Sequence, residues 1–302
     1  MRAAILDIGS NSLRLFLCTG LVDGEPSGER ITTVTALRRG AAPDGTVTGE
    51  ALDRLDACLA DYGARLRDFA PDEVVAVGTS AVRDAPNRDE VLARVRAHLG
   101  TDLIVLTGPQ EAEMSYVGAR LAVTGDGEVT VMDIGGGSTE LVCGDADGPR
   151  TAVSLDIGSV RSTDDVLHGD PPTRDERAAL VEKATEAAGT VFELLGTGRP
   201  VIGVAGTITT LAAIAIGEYD PARVHGAVLS RDEVEEMVIR LGDMPLEDRR
   251  SVPGLHPDRA PAVVAGACIA AGAMRAAGVD HLTVSERDLL DGVVLRLTSL
   301  GR

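Results

Sequence analysis

Tryptophan is absent, tyrosine and phenylalanine number three each, and lysine occurs once, at Lys183. So few rings leave little for the stacking platforms that bind single-stranded nucleic acids. The other basic residues are arginines, and a net charge of −18 leaves no long basic stripe to displace counterions from a duplex. Nucleic acid is therefore not an expected partner, and any anionic substrate must be drawn in by a local site. Cysteine is also scarce. Cys18, Cys58, Cys143 and Cys268 are far apart and form no Cys-x-x-Cys pair, which points to reduced, buried thiols. His98, His168, His225, His256 and His281 never pair at zinc-ligand spacing. Long apolar runs are missing too: Asp7 interrupts the N-terminal one, and the stretches 201–217 and 261–274 are too short or too rich in Gly and Thr to span a bilayer. A cytoplasmic protein with no targeting segment and no membrane contact is expected. No Gly-x-x-x-x-Gly-Lys, Gly-x-Gly-x-x-Gly or Gly-x-Ser-x-Gly occurs, which removes the P-loop, dinucleotide and serine-hydrolase signatures.

What the chain does contain is 302 residues, 44% of them hydrophobic, enough for two cores and hence for two lobes. Its most informative stretch is Asp133-Ile134-Gly135-Gly136-Gly137-Ser138-Thr139-Glu140, set between two β-rich runs. Successive glycines at a hairpin tip remove side chains that would keep an anion away and free backbone N–H groups to converge on phosphate oxygens. Asp133 and Glu140 stand where a hard metal ion could be held, directly or through water. A flexible hairpin with solvated acids is an equally acceptable reading of the octapeptide alone. The pattern of strand, Asp-Ile-Gly, small polar turn and strand recurs at Asp7-Ile8-Gly9-Ser10-Asn11-Ser12, which suggests two lobes built on related hairpins that face a shared cleft. Asp156-Ile157-Gly158 is a third copy without the polar turn.

Along the chain, strands are expected at 3–8, 12–18, 31–37, 73–77 and 103–106, and a helix at 50–69. Asn87 with Glu90 reads as a capping box, as do Thr173 with Glu176 and Ser230 with Glu233. Arg83 lies in a small-residue loop after a strand, where it is either a phosphate fork or a solvated arginine. Glu111 falls in the first turn of a helix opened by Pro109, a place the helix dipole alone would favour for an acid. Thr124-Gly125-Asp126-Gly127 is the expected lobe boundary, separating 1–124 from 125–287. In the second lobe, a strand is expected at 151–157 and a long helix after Thr173. Ala205-Gly206-Thr207 turns a buried strand into a helix, suited to a phosphate or nucleoside or simply to tight packing. A helix from His256 to Ala277 and a terminal helix capped by Ser285 complete the reading, the latter free to pack back on the first lobe over about 288–302.

Together these pieces resemble the exopolyphosphatase and guanosine pentaphosphate phosphatase family, in its two-domain short form. The segments 7–14 and 133–140 are similar to its two phosphate motifs, 78–87 to its substrate loop, and Thr107-Gly108-Pro109-Gln110-Glu111-Ala112 to the segment that carries its catalytic glutamate. The resemblance implies an α/β, two-lobed actin-like fold, of the ribonuclease H-like superfamily of actin, sugar kinases and heat-shock chaperones, with the site between the lobes. It implies Mg²⁺ on Asp133, Glu140 and Asp7, and phosphates held by Gly9, Ser10, Asn11, Ser12, Gly135, Gly136, Gly137, Ser138, Thr139 and Arg83. Glu111 would activate water, and Gly206 and Thr207 would occupy the loop that faces adenosine in the wider superfamily. Inorganic polyphosphate is the implied substrate and guanosine pentaphosphate the close alternative; an actin-like ATPase or sugar kinase and a non-hydrolysing polyphosphate sensor are more distant ones. A homodimer is the default expectation for a soluble enzyme. Departures are Gln110 where many members have a second glutamate, Leu290 where they have arginine, and Pro261 where aspartate is usual. No sequence remains for the helical domains that longer members append.

Overall fold

The computed structural model describes residues 2–42 and 44–300. From the N-terminus, β1 (Ala3–Ile8), β2 (Ser12–Val22) and β3 (Glu25–Val34) form an antiparallel meander. The β2–β3 hairpin turns at Asp23 and Gly24, both at positive φ (52° and 86°), the conformation that an Asp-Gly pair supplies readily. That turn starts β3 at Glu25, and the strand ends at Val34, opposite the first residue of β2, before Ala36 at positive φ, which corrects the expected strand at 31–37. Then come α1 (Gly49–Phe69), β4 (Glu73–Gly78), the short α2 (Ser80–Arg83), α3 (Arg88–Leu99), β5 (Leu103–Val105) and α4 (Gly108–Ala119). The strands make one sheet of order β3-β2-β1-β4-β5, with β4 and β5 parallel to β1.

The plan then repeats. A second meander, β6 (Val129–Ile134), β7 (Thr139–Asp145) and β8 (Gly148–Leu155), is followed by α5 (Ser159–Val166), α6 (Arg174–Leu195), β9 (Val201–Val204), α7 (Ala205–Ile216), α8 (Pro221–Val224) and β10 (Val228–Ser230). The chain ends with α9 (Arg231–Gly242), α10 (Leu246–Arg249), α11 (Val263–Ala277), β11 (His281–Val284) and α12 (Leu289–Leu300). Its sheet has the order β10-β11-β9-β6-β7-β8, with β9 parallel to β6 and β11 parallel to β9. The two hairpins are in the same register: Ile8 opposes Leu13, and Ile134 opposes Thr139, so each closes over a loop of equal length.

Each sheet is covered on both faces, and the coverings cross between halves. Leu52, Leu55 and Leu59 of α1 pack on one face of the first sheet, while Leu289, Leu290 and Val293 of α12 bury the other against Ile5 and Phe16. Ala112, Tyr116 and Ala119 of α4 pack instead on the second sheet, against Val131, Val142 and Ile202. Its opposite face carries the largest core, built on α6, α7, α9 and α11. Helices α4 and α12 thus cross between the sheets, with backbones nearly touching. A Cβ at Gly118 would stand 1.8 Å from the Asp288 carbonyl oxygen, and one at Gly292 1.9 Å from that of Met114.

Several local expectations are corrected. Asn87 forms no capping box; its side-chain amide pairs with both backbone groups of Val47. The box that does form at α4 joins Thr107 to Gln110, the residue where the resemblance implied a second glutamate. The expected helix from His256 begins only at Val263, after a 3₁₀ turn, Pro257–Arg259. Helix α12 is capped by Asp288, which accepts from Leu290 N–H and whose own N–H donates to Asp291, so Ser285 is not its cap. The four cysteines are buried and free. Among the described residues no helix is long and apolar enough to cross a membrane.

Candidate active site

The two Asp-Ile-Gly hairpins face each other across a cleft. Each turn is closed by one internal bond, Gly9 N–H to Ser12 O (3.1 Å) and Gly135 N–H to Ser138 O (3.0 Å). These two amides are thereby removed from the expected cradle. The amides of Ser10, Asn11, Gly136 and Gly137 meet no backbone acceptor among the described residues. Clustered free N–H groups of this kind favour an anion.

The glycines have a second task that the sequence reading did not contain. A Cβ at Gly136 would stand 2.9 Å from Ser10 Cβ, and one at Gly137 would stand 2.3 Å from Ser80 Oγ and 2.5 Å from Ser10 Oγ. Their bareness lets the two turns meet. The third Asp-Ile-Gly copy also acquires a place, because Gly158 packs on the Gly136–Gly137 backbone and Ser159 N–H donates to Gly135 O at 2.9 Å. Gly137 and Thr139 do not line the cleft. Thr139 Oγ1 instead donates to the Ile157 carbonyl at 2.5 Å, so its expected role on phosphate is not what the geometry shows.

Buried acids occupy the cleft floor. Asp7, at the end of β1, accepts from Arg14 Nε at 2.9 Å through Oδ2, while Oδ1 is buried without a partner. Asp133, at the equivalent place on β6, accepts from Ser115 Oγ at 2.5 Å. Burial raises its pKa to about 6, with the charges of Asp288 and Asp7 adding to the effect. Glu140 stands directly opposite Asp133 in the β6–β7 ladder, is fully buried and accepts from Ser154 Oγ at 2.7 Å. It lies behind the cleft wall, and burial followed by the Glu111 and Asp133 charges pushes its pKa well up. Glu111, held in the first turn of α4, reaches the cleft beside them. Burial raises its pKa to about 8 against the lowering bond from Arg83, and Asp133 and Asp7 add to the rise.

Arg83 is placed differently from the expected phosphate fork. Its Nη1 donates to Glu111 Oε2 at 2.9 Å and to the Leu106 carbonyl at 3.0 Å, and it does not line the cleft. The cations that do face the cleft are Arg14 and Arg259, neither of which the sequence reading assigned to the site. Arg14 bridges Asp7 and Asp288. Arg259 lies against the cleft wall with Nη1 donating to Gly206 O at 2.5 Å, and no carboxylate pairs with it among the described residues. Gly206 is needed for this approach, since a Cβ there would stand 2.1 Å from Arg259 Nη1. Gly206 and Thr207 line the cleft at the start of α7, whose first amides have no side-chain cap. Ala205 just before them has φ 66°, a strained value for a residue with a Cβ. The signal for Arg259 was in the sequence, two residues ahead of Pro261, but only folding shows that it has no acid beside it.

Among the described residues no three His, Cys, Asp or Glu side chains converge closely enough to hold a metal alone. The partnerless Oδ1 of Asp7, with Asp133 nearby, nevertheless fits Mg²⁺, which is usually held by one or two carboxylates together with water and substrate phosphate.

The sequence profile of the Ppx/GppA phosphatase family matches residues 28–300. Exopolyphosphatase 2 of Mycobacterium tuberculosis is 37% identical over 316 residues, covering 98% of either chain. Among solved structures, the Aquifex aeolicus member of the Ppx/GppA family superposes with a TM-score of 0.82 at 31% identity, covering 100% of this chain and 99% of that one. An exopolyphosphatase from Cytophaga hutchinsonii superposes with a TM-score of 0.90 at 26% identity, covering 99% and 98%. The duplicated hairpins and the cleft between two mixed sheets are thus those of an actin-like fold, and this chain belongs to the Ppx/GppA phosphatase family.

Proposed function

We propose that this protein is an exopolyphosphatase that releases orthophosphate from the end of inorganic polyphosphate. The observation that carries the reading is Glu111: a carboxylate raised toward neutral pH, aimed into a cleft whose walls offer free amides from both hairpins. A base works best when its pKa lies near the operating pH, and ionised Glu111 would take the proton of a water attacking the terminal phosphorus. Arg83 holds the Glu111 carboxylate in place. The amides of Ser10, Asn11 and Gly136, with Arg259 and the start of α7, bind the phosphate oxygens on which charge gathers. Asp7 and Asp133 would hold Mg²⁺, which supplies charge neutralisation when bound.

The Glu111→Gln protein should release phosphate from long-chain polyphosphate at least about 100-fold more slowly than wild type while still binding it. Wild-type turnover by the variant would remove Glu111 from the role of base. Comparing initial phosphate release from long-chain polyphosphate and from guanosine pentaphosphate decides between the two substrates. Faster release from the nucleotide would replace the first reading with a 5′-phosphohydrolase.

A further inference from the structure

Beyond the cleft, the segment that follows β3 carries two arginines with no acidic partner. The chain leaves the first sheet through Ala36 (φ 47°) and is clipped back to the first hairpin turn, by Ala36 N–H to Asn11 O (2.8 Å) and Arg38 N–H to Ser10 O (3.0 Å). On the other lobe Arg161 is clipped to the second turn, with Nε donating to Gly137 O at 2.7 Å. Each turn therefore carries an arginine on its outer side, and the two are near enough for the charge of Arg161 to act on Arg38. Arg161 has acids of its own, Asp84 at 2.5 Å and Asp156 at 3.8 Å. Arg38 is half-buried with neither an ion pair nor a side-chain hydrogen bond among the described residues. Next to it, Arg39 is half-buried and reaches only the Asp258 carbonyl oxygen, at 3.2 Å. Arg39 and Arg54 line a groove outside the cleft, together with Glu50 and Asp258.

Such cations ordinarily find a carboxylate in a chain with 47 acids. Here they gather against one another. Burial and the Arg161 charge weaken the protonated form of Arg38, and burial with the Arg54 charge does the same for Arg39, although Asp84, Asp164, Asp165 and Asp258 offset part of the effect. Partly buried like charges left together cost free energy that a bound polyanion would recover.

We propose that Arg38 and Arg39, beside Arg161, bind the phosphates that trail from the polyphosphate terminus held in the cleft, and so set a preference for long chains over short ones. This rests on the exopolyphosphatase reading. The test uses the full chain with Arg38→Gln and Arg39→Gln combined, and with both changed to Lys. Wild type should show a lower KM for long-chain polyphosphate than for tripolyphosphate. The Gln pair should reduce that preference about tenfold, the Lys pair should keep most of it, and added salt should erode it more in wild type than in the Gln pair. Thermal midpoints confirm that both variants fold. An unchanged preference in the Gln pair, or an equal loss in the Lys pair, overturns the proposal. If wild type releases phosphate from neither compound, the exopolyphosphatase reading fails separately. Equilibrium binding of the same two compounds then decides: a long-chain preference abolished by the Gln pair supports the arginine track, and one retained rejects it.

Discussion

At the scale of single residues, the site is a set of charges whose states depend on one another. Glu111 is held back from ionising by burial and by Asp133, and drawn toward it by Arg83. Replacing Arg83 by Gln removes the one nearby group that favours the carboxylate. The acidic limb of kcat/KM, which rises as Glu111 loses its proton, should therefore move to higher pH in Arg83→Gln, with the rate at pH 7 reduced. A pH–rate profile that scales down without shifting would show that Arg83 acts elsewhere. Leu290 makes the complementary point. It stands where the family resemblance implied an arginine, and it is only 3% exposed, packed from α12 against Phe16 and Ile5. No guanidinium reaches the cleft from there, and Arg14 and Arg259 supply the positive charge instead.

Elements matter chiefly through the crossing of α4 and α12. Glu111 sits on α4, and α4 is positioned by the near contact of Gly118 and Gly292 with facing backbone. Gly292→Val should lower stability to chemical denaturation by about 1–3 kcal/mol, because the side chain would meet a carbonyl with no room to retreat. It should also lower kcat more than a surface substitution of equal size, as α4 is displaced. Full activity in the variant would mean that the helices can part without moving Glu111. Capping follows the same logic at lower stakes: Thr173 and Ser230 form boxes with Glu176 and Glu233 as the sequence suggested, whereas the Asn87 amide was taken by Val47, a partner 40 residues away.

Over the whole molecule, the buried acids make the folded state costly at alkaline pH. In the unfolded chain, Glu111 and Asp133 ionise near about pH 4; folded, they keep their protons to about 8 and about 6. The folded state thus binds more protons between those limits, and stability falls as pH rises through them. With divalent cations removed by a chelator, the thermal midpoint should be higher at pH 5.5 than at pH 8, roughly the span of these shifts. Glu111→Gln should flatten the upper part of that slope. A midpoint that rises with pH would show that the acids are less buried than described.

The architecture was legible in the sequence because it is written in short-range signals. Short apolar runs mark the central strands, small polar turns follow Asp-Ile-Gly twice, and Thr-x-x-Glu opens α6. Asp7, Asp133 and the two turns were marked for the same reason, each lying at a strand end, whereas Glu111 was marked only by the family resemblance, because a first helical turn favours an acid in any case. What only the tertiary structure decided depends on residues far apart in the chain. Arg83 was free to meet phosphate until folding put Glu111, 28 residues on, within 2.9 Å. That Arg259 and Arg38 are partly buried with no ion pair among the described residues is a property of the packed molecule. The glycines of the second turn had looked like an opening for an anion; in the fold Gly136 and Gly137 also make room for Ser10 and Ser80. Local pattern determines where the chain turns, and the excluded volume between its two halves determines what each turn touches.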